Sequence, residues 1–265
     1  MIKPLRNLCA GLALAGGLAI GAPAFAGFST TEVQLHYGDG YELGANVFGS
    51  TTARETVTLE HFSAGQYGEL FFFVDFFRDI NNSAGGFGPK SDQYGEIYGF
   101  LSGRTLGLTF NENSFISDIG IEVGINEGTN FFVGLIGPKV EFNIPGIQLL
   151  SVALYAYDTI DDPVPGRSPD TTYQATVVWG VPINLGTQKF RFQGFVDFIG
   201  SQSNGGFAIA HQILFSPQFR WDIGNAFGTA ENRFTLGVEY NHWVNKFGIS
   251  AIDEDSASVF LAMRF

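Results

Sequence analysis

The residues with chemistry to offer are gathered most densely in Tyr67-Gly68-Glu69-Leu70-Phe71-Phe72-Phe73-Val74-Asp75-Phe76-Phe77. In a strand, alternate side chains point to opposite faces, so Leu70, Phe72, Val74 and Phe76 share one face and Glu69, Phe71, Phe73, Asp75 and Phe77 the other. The first face is wholly apolar. The second mixes two carboxylates with three rings, which suits neither a dry core, where unpaired charge is costly, nor an open surface, where a row of rings is adhesive. It suits the wall of a narrow wet bore. Rings stack on flat solutes, at about 1–3 kcal/mol per base in the nucleic-acid case, and carboxylates and amides hydrogen-bond to hydroxyl and N–H groups.

Such a strand needs neighbours of its own kind, with hydrocarbon on one face and water on the other. The clearest is residues 116–126, where Ile119, Ile121, Val123 and Ile125 alternate with Asp118, Gly120, Glu122, Gly124 and Asn126. A slip of one residue would put both acids into lipid, so its register is determined. Similar alternation marks 30–37, 56–62, 147–158, 171–181, 189–199, 211–221, 234–243 and 257–265. Residues 130–142 and a less regular 94–106 bring the total to about twelve.

The connections alternate too. Residues 38–55, 78–93, 159–170, 200–210 and 244–256 are long and polar, glycine-rich or acidic; 63–66, 143–146 and 182–188 are short, and Pro145-Gly146 signals a tight turn. Residues 127–129 and 222–233 break the pattern. Short turns on one side, long loops on the other and an even strand count are the habit of bacterial outer-membrane barrels, with both termini in the periplasm. The fold class read from the sequence is therefore all-β, a transmembrane antiparallel β-barrel of about 12 strands in the outer membrane. Charged residues at 15%, with 28 Phe and 35 Gly, fit this better than a soluble sandwich.

Ahead of the strands, Lys3 and Arg6 precede an apolar run over 8–20 and then Ala22-Pro23-Ala24-Phe25-Ala26, which matches an A-x-A cleavage site. Residues 1–26 read as a signal peptide and 27–265 as the barrel. Cys9, the single cysteine, falls in the leader, so the mature chain owes nothing to disulfides. The net charge of −12, more negative once Lys3 and Arg6 are removed, argues against nucleic acid as a partner.

This register assigns to the bore Glu69, Phe71, Phe73, Asp75, Glu122, Asn126, Tyr155, Tyr157, Arg191, Gln193, Phe195, Asp197, Gln218, Arg220 and Glu239, with Glu60, Asp118 and Arg264 beside them. About eight strands make a filled barrel and roughly 16 to 18 an open channel, so about twelve should leave a narrow pore. A pore so lined suits a neutral, flat, hydroxylated solute and repels phosphates; nucleosides fit and nucleotides do not. The alternative is that the acids and arginines brace the barrel as salt bridges while the rings fill space. Both readings stand on the sequence.

Leu59-Glu60-His61, Tyr67-Gly68-Glu69 leading into Phe71-Phe72-Phe73-Val74-Asp75, Tyr94-Gly95-Glu96 and Asn126-Glu127-Gly128-Thr129-Asn130-Phe131 carry a resemblance. So do Asn143-Ile144-Pro145-Gly146, Gln193-Gly194-Phe195-Val196-Asp197 and residues 237–248, Gly-Val-Glu-Tyr-Asn-His-Trp-Val-Asn-Lys-Phe-Gly. Together they resemble the nucleoside-specific channel family of Tsx and OmpK along nearly the whole mature chain. The resemblance implies a monomeric twelve-stranded barrel that passes nucleosides by diffusion, with Glu69, Phe71, Phe73, Asp75, Phe195 and Asp197 in the lining. It also implies external loops that serve as docking surfaces for phages. After Tyr94-Gly95-Glu96 the chain departs from that pattern with the more apolar Ile97-Tyr98-Gly99-Phe100-Leu101.

Other chemistries have thinner support. His61-Phe62-Ser63 has the H-x-S spacing of lipid A deacylases, but at the wrong end of its strand for the outer leaflet. His36, His211 and His242 are scattered, so no catalytic residue, cofactor or metal is assigned. The acidic stretches 158–170 and Asp253-Glu254-Asp255 suit divalent cations held against lipopolysaccharide, or a phage fibre. Trp179, Trp221 and Trp243 read as anchors at the membrane interface.

Overall fold

The computed structural model describes residues 26–42, 50–80, 91–111, 113–162, 167–204, 207–250 and 252–265. Among these, the strands in chain order are β1 (Ala26–Glu42), β2 (Thr51–Gly65), β3 (Gly68–Asp79), β4 (Ser91–Leu101), β5 (Ile116–Gly128), β6 (Phe131–Phe142) and β7 (Leu149–Asp161). They continue with β8 (Thr172–Leu185), β9 (Gln188–Ile199), β10 (Gln202–Asn204), β11 (Phe207–Ile209), β12 (Gln212–Asp222), β13 (Phe234–Val244) and β14 (Glu254–Arg264). All but β10 and β11 join one closed barrel of twelve antiparallel strands. Closure comes from β1 against β14, from Glu32 opposite Arg264 to Asp39 opposite Ala257. With no free edge, the backbone donors and acceptors are paired within the wall, the condition for strands to cross hydrocarbon.

The alternation seen in the sequence becomes an inside and an outside. Along β5, Asp118, Gly120, Glu122, Gly124 and Asn126 are buried while Ile121, Val123 and Ile125 are exposed. The same division leaves Leu35, Val57, Leu154, Phe192, Phe219, Val238, Val259 and Leu261 on an exposed apolar belt around the outside. On a soluble protein a belt of that extent would aggregate; in a bilayer it is solvated by acyl chains.

Three prolines sit inside strands without breaking them; Pro182 of β8 pairs with Arg191 of β9, beyond the β7–β8 ladder that ends at Gly180. Pro138 pairs with Ile121 on the β5 side, but the β6–β7 ladder skips from Ile136–Ala156 to Lys139–Ala153. Pro217 pairs with Gly194 of β9, and the β12–β13 ladder jumps from Phe215–His242 to Gln218–Glu239. Each ring lacks an N–H, so a rung is lost on one side only and the register continues.

At the turns, Ile147 N–H donates to the Ile144 carbonyl at 3.0 Å, with Pro145 and Gly146 (φ +86°) between them, the geometry of a type II turn. The Thr129-Asn130 reversal places Asn130 at φ +57°. Residues 1–25 of the expected leader lie outside the described residues, as do 43–49, 81–90 and 163–166 of the expected long loops. The fourth segment, expected over 94–106, stops as a strand at Leu101. There the Ser102 hydroxyl donates to Asp118 and accepts from the Arg104 N–H, starting a 3-10 turn over Gly103–Leu106 that ends at Gly107 (φ +91°). Two further local structures were not apparent in the sequence: the β10–β11 hairpin in one long loop, and a helical turn over Ile223–Ala226 capped by Asp222.

Candidate pore lining

The inward row of β3 is fixed by a contact that adjacent strands cannot make. The ammonium of Lys139 on β6 lies 2.7 Å from the Glu69 carboxylate, although β4 and β5 separate β3 from β6 in the wall. That contact crosses the interior, so Glu69 points into the bore, and Phe71, Phe73 and Asp75 follow it by alternation. Asp75 accepts a hydrogen bond from the Thr58 hydroxyl at 2.5 Å. The rings form a stair: Phe71 to Phe73 at 6.1 Å between centroids, Phe73 to Tyr94 at 6.1 Å, and Tyr94 to Phe131 at 6.3 Å. It climbs from β3 to the long-loop end of β6.

Strand β9 stands six places round the barrel from β3, on the opposite wall. From it runs a row of amides and acids: Gln193 donates to Gln218 at 3.3 Å, and Gln218 donates to Glu239 at 2.7 Å. Asn241 also donates to Glu239, at 3.3 Å. Arg220 holds the Gln218 carbonyl oxygen from the other side at 3.0 Å. The bore thus has an aromatic wall facing a hydrogen-bonding wall.

Water reaches only part of the expected lining. Glu69, Phe71, Phe73, Asp75, Arg191, Gln193, Phe195, Gln218 and Glu239 are partly exposed, as are Tyr94, Glu96 and Tyr98. The expectation that Glu122, Asn126, Tyr155, Tyr157, Asp197 and Arg220 also meet the solute path is corrected: they face inward but are buried. Tyr155 and Tyr157 pack with Val133, Leu135 and Ala153 into an apolar cluster inside the β6–β7 wall. The Tyr155 hydroxyl donates to Glu122, and Tyr98 donates to Asn126 at 3.1 Å. Asp197 is taken by Thr176 at 2.5 Å and Gln174 at 3.3 Å, and Arg220 by Glu32. Glu122, Asn126, Tyr155 and Tyr157 fill the β5–β7 side, and inward residues that stay partly exposed stand on β3, β4, β9, β12 and β13.

Several inward residues escaped sequence reasoning. Lys139 meets Glu69, Glu122 at 3.1 Å and Glu141 at 3.3 Å, and lies 4.6 Å from the centroid of the Phe100 ring. In β6 the inward positions Val133 and Leu135 are apolar, which hides the alternation that would have pointed Lys139 and Glu141 inward. On β4, Tyr94 donates to Glu96 at 2.6 Å. His36 bonds to Ser258 at 3.0 Å and Gln34 at 2.8 Å, and stacks on Phe260.

Trp243 also departs from expectation. It pairs with the buried Glu254, which places it on the inward face, with Lys246 5.0 Å from its ring. Trp221 bonds to Gln188 at 2.9 Å near the short turns, and Trp179 stacks on Phe215. His61 of the H-x-S triplet is hydrogen-bonded to the Thr31 hydroxyl at 2.8 Å and stacked on Phe72.

No protein-family model matches the chain, and no curated protein matches it. Among solved structures the barrel is similar to an outer membrane channel from Pseudomonas putida F1, with a TM-score of 0.52 and 11% identity over 93% of this chain and 100% of that one. It is also similar to the KdgM porin, with a TM-score of 0.48 and 7% identity over 88% of this chain and 99% of that one. At such identities the likeness is one of fold. The closed antiparallel barrel and its apolar belt make the chain an outer-membrane β-barrel.

Proposed function

We propose that the barrel is a passive outer-membrane channel for nucleosides. One observation carries this reading: the partly water-exposed ring stair of Phe71, Phe73 and Tyr94 stands across the barrel from the Gln193–Gln218–Glu239 row. A flat base lies against the rings, and sugar hydroxyls and base N–H groups find acceptors on the other wall. Glu239 disfavours a phosphate beside that row, so nucleotides are disfavoured. The fold of a known outer-membrane channel supports a pore, and the sequence blocks that resemble the Tsx and OmpK family support nucleosides as its solute.

Single-channel recording with the barrel in planar bilayers tests the proposal. Nucleosides should block the ion current reversibly and nucleoside monophosphates should not. F71A/F73A should weaken the block by about 5-fold to 150-fold, the loss of roughly 1–3 kcal/mol of stacking. Equal current with and without nucleosides, while sugars of similar size pass freely, would overturn it.

A further inference from the structure

At the end of the bore that carries both termini, the fixed charges are sorted to opposite sides. On one side Glu69 (β3), Glu122 (β5) and Glu141 (β6) surround Lys139, three carboxylates against one ammonium. On the other, Arg191 (β9), Arg220 (β12) and Arg264 (β14) share Glu32, which pairs with Arg220 and, at 3.3 Å, with Arg264. Arg191 is held by the neutral side chain of Gln148. Glu60 of β2 lies within electrostatic reach of the same three arginines, so the first sector keeps an excess of carboxylates and the second a smaller excess of arginine.

The topology sets the two sectors against each other, since β3 stands opposite β9 and β6 opposite β14. No ion pair joins them among the described residues. Among these groups the side chains of Glu69 and Glu141 are 17% and 19% exposed and that of Arg264 26%, against 4% for both Arg220 and Glu32. In a narrow bore with low-dielectric walls, little electrolyte fits between such groups to screen them, and the field across the gap is focused.

We propose that this end of the bore is a binding site for dipolar solutes, above all zwitterions, which lie crosswise with the positive end toward Glu69 and Glu141 and the negative end toward Arg191 and Arg264. The site rests on the channel reading and deepens it. Simple cations and anions are each attracted by one wall and repelled by the other, whereas a zwitterion is attracted by both. A nucleoside enters the same field through its base dipole.

The test compares entry of zwitterionic 4-aminobutyrate and uncharged erythritol, solutes of similar size, into liposomes holding the full mature chain. The wild type should favour 4-aminobutyrate, and both E69Q/E141Q and R191Q/R264Q should bring the ratio toward one. In a KCl gradient the first variant should move the reversal potential toward anion preference and the second toward cation preference, which a merely structural role would not produce. Heat-dependent migration on gels reports whether each variant is folded, and the single variants E141Q and R264Q carry the same comparison if a double variant is not. An entry ratio at or below one in the wild type, or unchanged in both variants, overturns the site. If zwitterion preference is present without nucleoside block, the nucleoside reading alone fails; block without zwitterion preference removes only the crosswise site. Absence of any conductance removes both.

Discussion

Replacing Lys139 with Met keeps most of the side chain's bulk and removes the one positive charge among Glu69, Glu122 and Glu141, which lie 2.7, 3.1 and 3.3 Å from it. The ammonium is 9% exposed in its side chain and no partner exceeds 19%, so screening by water is weak. Breaking a buried ion pair by deleting one partner costs about 3–5 kcal/mol, because the other charge stays behind unpaired. Here three stay behind, so the upper part of that range is expected. For a urea dependence of about 1–3 kcal/mol per molar, the unfolding midpoint in phospholipid vesicles should fall by about 1 M or more. Fluorescence of Trp179, Trp221 and Trp243 with gel migration follows the transition. E122Q should recover part of the loss in the K139M background while costing stability alone. A K139M barrel with the wild-type midpoint at neutral pH would show that the cluster does not brace the wall.

Gly237 lies under the Phe260 ring, where an added Cβ would come within 2.2 Å of a ring carbon, so G237V should destabilise the barrel by about 1–3 kcal/mol and G237A by less in the same titration. At the long-loop end, the Lys246 ammonium binds Glu254 and, at 3.2 Å, the Glu42 carbonyl, holding the 245–249 segment into the mouth. K246M should increase protease nicking between residues 245 and 250 in intact vesicles. Nicking no faster than in the wild type would show the segment to be held by its other contacts, such as Ala210 N–H to the Gly248 carbonyl at 2.8 Å.

The sequence by itself determined the barrel. Alternation with a period of two is a local property, and in most strands one of its two phases puts charged or polar side chains into hydrocarbon, so inside and outside could be read strand by strand. That is why Glu69, Phe71, Phe73, Asp75, Gln193, Phe195, Gln218 and Glu239 were placed on the bore before any tertiary contact was known. It failed locally where another effect prevailed: Ser102 bonding to Asp118 ended β4 early, and apolar inward residues in β6 concealed Lys139. Only the tertiary structure decided which inward residues meet water. Lys139 finds Glu69 across 70 positions of chain and Arg220 finds Glu32 across 188, and Tyr155 and Tyr157 are buried by Val133, Leu135 and Ala153. Those partnerships depend on how far round the closed wall two strands stand, and closure is a property of all twelve together, which the pattern within one strand does not contain.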